Sequence, residues 1–79
     1  MSDINLEIKL YGAFRKFGQS VNISIASGSK IKQVKEALAD ALGELVNSSV
    51  LADNDIILNN DDILEQDTTL SILPPVCGG

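Results

Sequence analysis

Little in this chain can do chemistry, and what can lies at its end. The sequence has no histidine and one cysteine, Cys77. No imidazole is available as a general base, no internal disulfide can form, and one cysteine cannot make a zinc site. Asp53-Asn54-Asp55 begins like a calcium loop, but Ile57 stands where the third ligand belongs and no glycine follows. The pairs Asp53/Asp55 and Asp61/Asp62 lie in polar, turn-like stretches and read as solvated carboxylates rather than as an acid and a base. Gly28-Ser29-Lys30 is too short for a phosphate loop and lacks its upstream glycine. The chain lacks the parts of an autonomous catalyst, and no metal or cofactor is expected on it. The carboxylate of Gly79 remains. A carboxylate is a poor acyl donor because its oxygen leaves badly. An ATP-using enzyme changes that by making an acyl-adenylate, which a sulfur or amine nucleophile can attack.

The residues before that carboxylate suit such a use. In Pro74-Pro75-Val76-Cys77-Gly78-Gly79, two prolines end the preceding strand, because proline has no N–H for a ladder and its φ is locked. They also favour a stiff, extended start to the tail. Gly78 and Gly79 keep the tip thin and leave the acyl carbon unhindered. Six extended residues reach on the order of 20 Å. The sequence therefore describes a stiff base, a slim tip and an exposed carboxylate able to enter a narrow channel in another protein. A flexible end that carries glycines by chance is the plainer reading. The Pro-Pro stop directly after a strand argues against it.

Seventy-nine residues make one small domain. With 44% apolar and 22% charged residues, the composition is that of an ordinary folded domain. No apolar run approaches the roughly 18 residues of a membrane span, and Met1-Ser2-Asp3 does not start like a signal peptide. A cytoplasmic protein with no membrane partner is expected. The net charge of −5 argues against nucleic acid as a partner. The charge is unevenly placed: all six basic residues precede position 36, and nine of the eleven acids lie from Glu36 onward. Either the surface sign varies by chance, or an acidic face meets a basic partner.

The elements that must hold the tail can be read from periodicity. Ile4 to Leu10 alternates strictly, so Ile4, Leu6, Ile8 and Leu10 should face a core and Asn5, Glu7, Lys9 and then Tyr11 should face outward. Gly12 to Gly18 breaks the pattern and reads as a turn with a short helical piece, its Phe14 or Phe17 closing one end of the core. Val21 to Ile25 alternates again, and a hairpin of the two strands is the simplest pairing. Ser29 is a candidate N-cap for a helix of about 12 residues. Ile31, Val34, Leu38 and Ala41-Leu42 form its apolar stripe, and Gly43 is placed to stop it. Residues 44–60 are less regular: Val50-Leu51-Ala52 and Ile56-Ile57-Leu58 would be short strands about a turn at 53–55. A polar break at 59–62 and a turn at 65–67 lead to a last strand, Thr69 to Leu73, with Leu70 and Ile72 inward and Ser71 and Leu73 outward. This order of strands around one helix predicts an α+β fold, the ubiquitin-like β-grasp: a mixed sheet with one main helix packed on one face. Its last strand would lie beside the first, in parallel. Residues 1–73 would form the single domain and 74–79 the extended tail.

Ile72-Leu73-Pro74-Pro75-Val76-Cys77-Gly78-Gly79, with Leu10-Tyr11-Gly12-Ala13-Phe14-Arg15 and the stretch from Leu64 to Leu73, resembles the ubiquitin-like sulfur carriers of the MoaD/ThiS family. The tail is most similar to that of the small subunits of molybdopterin synthase. The resemblance implies a non-catalytic, sulfur-donating subunit. Gly79 would be adenylated by a ubiquitin-activating-like adenylyltransferase using ATP and converted to a thiocarboxylate by a sulfur donor. The tail, Pro74 to Gly78, would then insert into the large synthase subunit, in a heterotetramer, to give sulfur to a cyclic pyranopterin. Tyr11 and Leu73 match apolar positions of the family's docking face. The last turn, Glu65-Gln66-Asp67-Thr68, lacks the glycine usual there. Cys77 stands at a variable tail position, where it either fills a small slot or places a thiol near the activated carbonyl. A sulfur carrier serving thiamine, cysteine or another product remains an alternative, as do a modifier that joins Gly79 to lysines and a plain ubiquitin-like binding module.

Overall fold

The computed structural model describes residues 3–75. The first alternating stretch forms β1 (Asp3–Leu10), with Ile4, Leu6, Ile8 and Leu10 all buried. The second forms β2 (Ser20–Ala26) and pairs antiparallel with it. The register sets Ile4 opposite Ile25, Leu6 opposite Ile23 and Ile8 opposite Val21, so the apolar sets of both strands share one face. Between them a 3-10 helix, Gly12–Phe17, turns the chain. Of its two aromatic residues Phe14 is the plug, 1% exposed, while Phe17 is 44% exposed.

The helix α1 spans Ile31–Leu42. Ile31, Val34, Leu38 and Leu42 are its buried stripe, and Gly43 follows it as the C-cap. Ala41 is exposed, and Ala39 on the opposite flank packs partly against the core instead. Ser29 does not cap this helix. It belongs to a two-residue strand, β3 (Ser29–Lys30), and its hydroxyl donates to the Ala26 carbonyl at 2.6 Å. Lys30 is the N-cap residue, and its N–H donates to Gln33 Oε1 at 2.9 Å. The first helical N–H groups find loop carbonyls: Ile31 donates to Asp62 and Lys32 to Asn60. The polar break at 59–62 thus supplies what a serine cap would have supplied.

The irregular middle of the chain resolves into a second 3-10 helix, Glu44–Ser48, that buries Val46. A hairpin of β4 (Val50–Asp53) and β5 (Ile56–Leu58) follows. Ile63–Leu64 forms β6, which pairs antiparallel with β3. The last strand, β7 (Thr68–Leu73), runs parallel to β1 and antiparallel to β4. The main sheet therefore has the order β2-β1-β7-β4-β5, with the first and last strands of the chain adjacent near its middle. Leu6, Ile8, Leu10, Leu51, Leu70 and Ile72 from this sheet meet Ile31, Val34 and Leu38 of α1 in one core. This is the mixed sheet under a single main helix that the sequence predicts.

The turn before β7 works without a glycine. The Asn5 N–H donates to Asp67 Oδ1 at 2.7 Å, one residue before the parallel ladder begins at Leu6 and Thr68. A carboxylate thereby ties the start of β7 to β1.

Candidate functional site

Because successive strand side chains alternate sides, burying Leu70 and Ile72 sends Thr69, Ser71 and Leu73 to the sheet face away from α1. The register collects further residues there. Leu73 pairs with Val50, Ser71 pairs with Ala52 and Lys9, and Ala52 pairs with Ile57 on its other side. The result is an open groove of about 620 Å³. Tyr11, Ala52, Ile57 and Leu73 form its apolar part, and Glu7, Lys9 and Asp55 stand among its polar lining.

Tyr11 is 38% exposed and Ile57 51%, whereas Leu73 is half-buried. The two outward apolar residues singled out from sequence, Tyr11 and Leu73, thus line the same groove. Val50, Ala52 and Ile57 were not singled out. Their strands lie in the stretch that is least regular in sequence, and their face becomes assignable only once β4 is known to lie between β7 and β5.

Arg15 is a further contributor. Its Nε–H donates to the Leu10 carbonyl at 3.0 Å, and its guanidinium carbon lies 5.9 Å from the centre of the Tyr11 ring. A cation over an aromatic face at that distance is attractive, so Arg15 holds Tyr11 against the end of β1. The signal available in sequence is its position four residues beyond Tyr11, where the following turn brings it back.

The base of the tail begins beside this groove, whose lining includes Leu73. Leu73 ends β7, Pro74 is half-buried and Pro75 is exposed. Of the other tail residues expected to act, Val76, Cys77, Gly78 and Gly79 lie outside the described residues. Among the described residues no three of His, Cys, Asp or Glu come together to hold a metal ion, and no helix is long and apolar enough to cross a membrane. Asp53 is half-buried and Asp55 exposed at the β4–β5 turn. Asp62 Oδ2 accepts from the Asn59 N–H at 2.8 Å, so this carboxylate closes a turn.

Comparison with known proteins agrees with this geometry. The fold is similar to the solution structure of the N-terminal ubiquitin-like domain in the 4931431F19Rik protein. That match has a TM-score of 0.77 and 18% identity over 98% of this chain and 79% of that one. It is similar also to the crystal structure of SAMP1 from Haloferax volcanii, with a TM-score of 0.74 and 19% identity over 95% of this chain and 99% of that one. At these identities the likeness establishes the ubiquitin-like β-grasp fold. A search of the curated proteins gives no match. The ThiS family matches residues 8–79, from the middle of β1 through Gly78 and Gly79. The chain belongs to the ThiS family, the ubiquitin-like sulfur carriers.

Proposed function

We propose that this chain carries sulfur as a thiocarboxylate on Gly79 and delivers it, as the small subunit of a molybdopterin synthase, to a cyclic pyranopterin. The observation that carries the reading is that the family match runs through Gly79, so it includes the one group able to be activated. The geometry of the tail's base supports it: Leu73 and Pro74-Pro75 leave the fold at the rim of an exposed groove with an apolar part. A partner gripping that groove would receive the tail beside it. The Pro-Pro-Val stretch favours the molybdopterin branch over thiamine or cysteine pathways.

The chemistry divides between partners. An adenylyltransferase lets a Gly79 carboxylate oxygen attack the α-phosphorus of ATP, and pyrophosphate leaves. A hydrosulfide equivalent from the sulfur donor then attacks the acyl carbon, AMP leaves, and the thiocarboxylate remains. In the large synthase subunit that sulfur attacks a carbon of the cyclic pyranopterin, the oxygen substituent on that carbon leaves, and water then hydrolyses the resulting thioester, which leaves the sulfur on the pterin as a thiolate and restores the Gly79 carboxylate. This chain's own share is to present the acyl group unhindered and to dock through Tyr11 and Leu73.

Intact mass spectrometry of the protein from its native host tests the reading. The mass gain of one oxygen replaced by sulfur, located on Gly79, is expected, with a large synthase subunit co-purifying. Larger conjugates without any thiocarboxylate would replace the carrier reading with that of a protein modifier. A thiocarboxylate with a different partner would move the carrier to another pathway.

A further inference from the structure

The parallel register of β1 and β7 sets Leu10 opposite Ile72. Continued two residues past the ladder, it sets Gly12 opposite Pro74. The two are in contact there. A Cβ added at Gly12 would lie 2.7 Å from Pro74 Cγ and 3.6 Å from Cδ. The first distance is well inside the approach of two carbon atoms. Gly12 also has φ +56°, a left-handed conformation that side chains other than Asn and Asp seldom adopt. A proline ring is bonded to its own backbone nitrogen, so it cannot swing aside as a long side chain would. Anything larger than hydrogen at Gly12 therefore displaces the ring together with the backbone that leads into the tail.

The strand ladders do not require this approach. Pro74 has no N–H to continue the ladder to β1, and Leu73 is the last residue paired with β4. Beyond Leu73, the first tail residue rests against the bare backbone of Gly12. The geometry points to Gly12 as a positioning residue: by admitting the Pro74 ring, it sets the direction in which the tail leaves the docking face. The inference rests on the sulfur-carrier reading for its consequence, since an acyl group must reach a partner's active site while the groove is held. Misplacement of a reacting group by about 1 Å can cost on the order of 100-fold in rate.

Gly12→Asn separates the two properties of the position. Asparagine tolerates the left-handed conformation, but its Cβ still meets Pro74. Residual dipolar couplings of the full-length chain, with the β1 and β7 couplings as the internal control for an intact sheet, should show the Cα–Hα vector of Pro75 reoriented in Gly12→Asn. They should show it restored toward the wild-type value in Gly12→Asn/Pro74→Ala. Assayed with the native adenylating enzyme by ATP–pyrophosphate exchange, Gly12→Asn should lower kcat by about 10-fold or more and change KM by less than about 3-fold. The double variant should recover most of that loss.

An unchanged Pro75 vector in Gly12→Asn overturns the inference. So does a double variant whose losses simply add, or a kcat that stays constant although the vector moves. If the wild-type chain is not adenylated at all, the carrier reading fails, and the couplings still decide whether Gly12 sets the tail's direction.

Discussion

Tyr11 and Phe14 are three residues apart and do opposite things. Phe14 faces inward with 1% exposure, and Tyr11 faces out at 38% with Arg15 against its ring. Removing the Phe14 ring leaves a cavity under the end of the sheet and should cost about 3–5 kcal/mol, much of the stability of so small a domain. Phe14→Ala should therefore shift the urea midpoint sharply, and partner binding should fall only as far as unfolding dictates. Tyr11→Ala and Ile57→Ala should do the reverse. Each removes an exposed apolar group and should change stability by about 1 kcal/mol or less. If the groove is the docking face, each should weaken binding to the partner by about 10-fold or more, as truncation of an interface anchor does. Titration calorimetry beside urea denaturation checks both halves. Equal stability losses in Tyr11→Ala and Phe14→Ala, with binding intact in the former, would take Tyr11 out of the site. Alternation assigned Tyr11 to the outer face correctly. It was silent on which of Phe14 and Phe17 plugs the core, because a 3-10 turn has no period of two, and only the position of the helix decides.

At the scale of elements, the two ends of α1 and the β4–β5 turn show which parts of the fold were legible. Long periodic stretches identify themselves: β1, β2, β7 and the stripe of α1, apart from the exposed Ala41, stand where their patterns put them. The two-residue strands β3 and β6 show no period at all. They exist because the chain entering and leaving the 59–62 turn is held against the start of α1, through Gly28 N–H to Leu64 O and Ile31 N–H to Asp62 O. That long-range arrangement also displaced Ser29 from the cap. Gly43 was legible as a stop, and its φ of 97° and ψ of 179° explain why. That region is essentially open only to glycine, and a Cβ there would meet nothing within 4 Å. Gly43→Ala should thus cost about 1–3 kcal/mol from the backbone alone, measured as a lower urea midpoint at unchanged m-value. The β4–β5 turn offers the opposite change. Asn54 and Asp55 have φ of 47° and 68° between the paired residues Asp53 and Ile56. A two-residue hairpin with both central φ positive prefers Asn-Gly. Asp55→Gly should raise stability by roughly 0.5 kcal/mol, the relief of left-handed strain exceeding the entropy lost on ordering glycine. Asp55→Ala should lower it, and the two variants moving the same way would contradict this account of the turn.

For the molecule as a whole, order along the chain was enough to place β7 beside β1, because one helix and a long crossover leave few other ways to bury both sheet and stripe. Charge was not legible in the same way. The separation of basic and acidic residues along the sequence does not carry over into a groove of one sign: Lys9 shares it with Glu7 and Asp55. Specific contact rather than net charge should then govern docking, and the apolar residues of the groove should matter more than salt. On the proposed reading, the tail is separable from the grip. Among the described residues the sheet ends at Leu73 and the core at Ile72, and deleting Gly78 and Gly79 leaves every one of those residues in place. The shortened chain should therefore keep its thermal midpoint and bind the partner within a few-fold of the full-length affinity, since groove contacts persist. It should accept no sulfur, because the new end carries a side chain where an unhindered acyl group is needed. Restoring a glycine pair in place of Val76-Cys77 within the shortened chain would return the chemistry to a tip two residues nearer the fold. If reach is what the Pro-Pro segment provides, that variant should be adenylated poorly despite its correct terminal residues. Full activity from it would mean that the partner reads the Gly-Gly end alone and that the length of the tail is incidental.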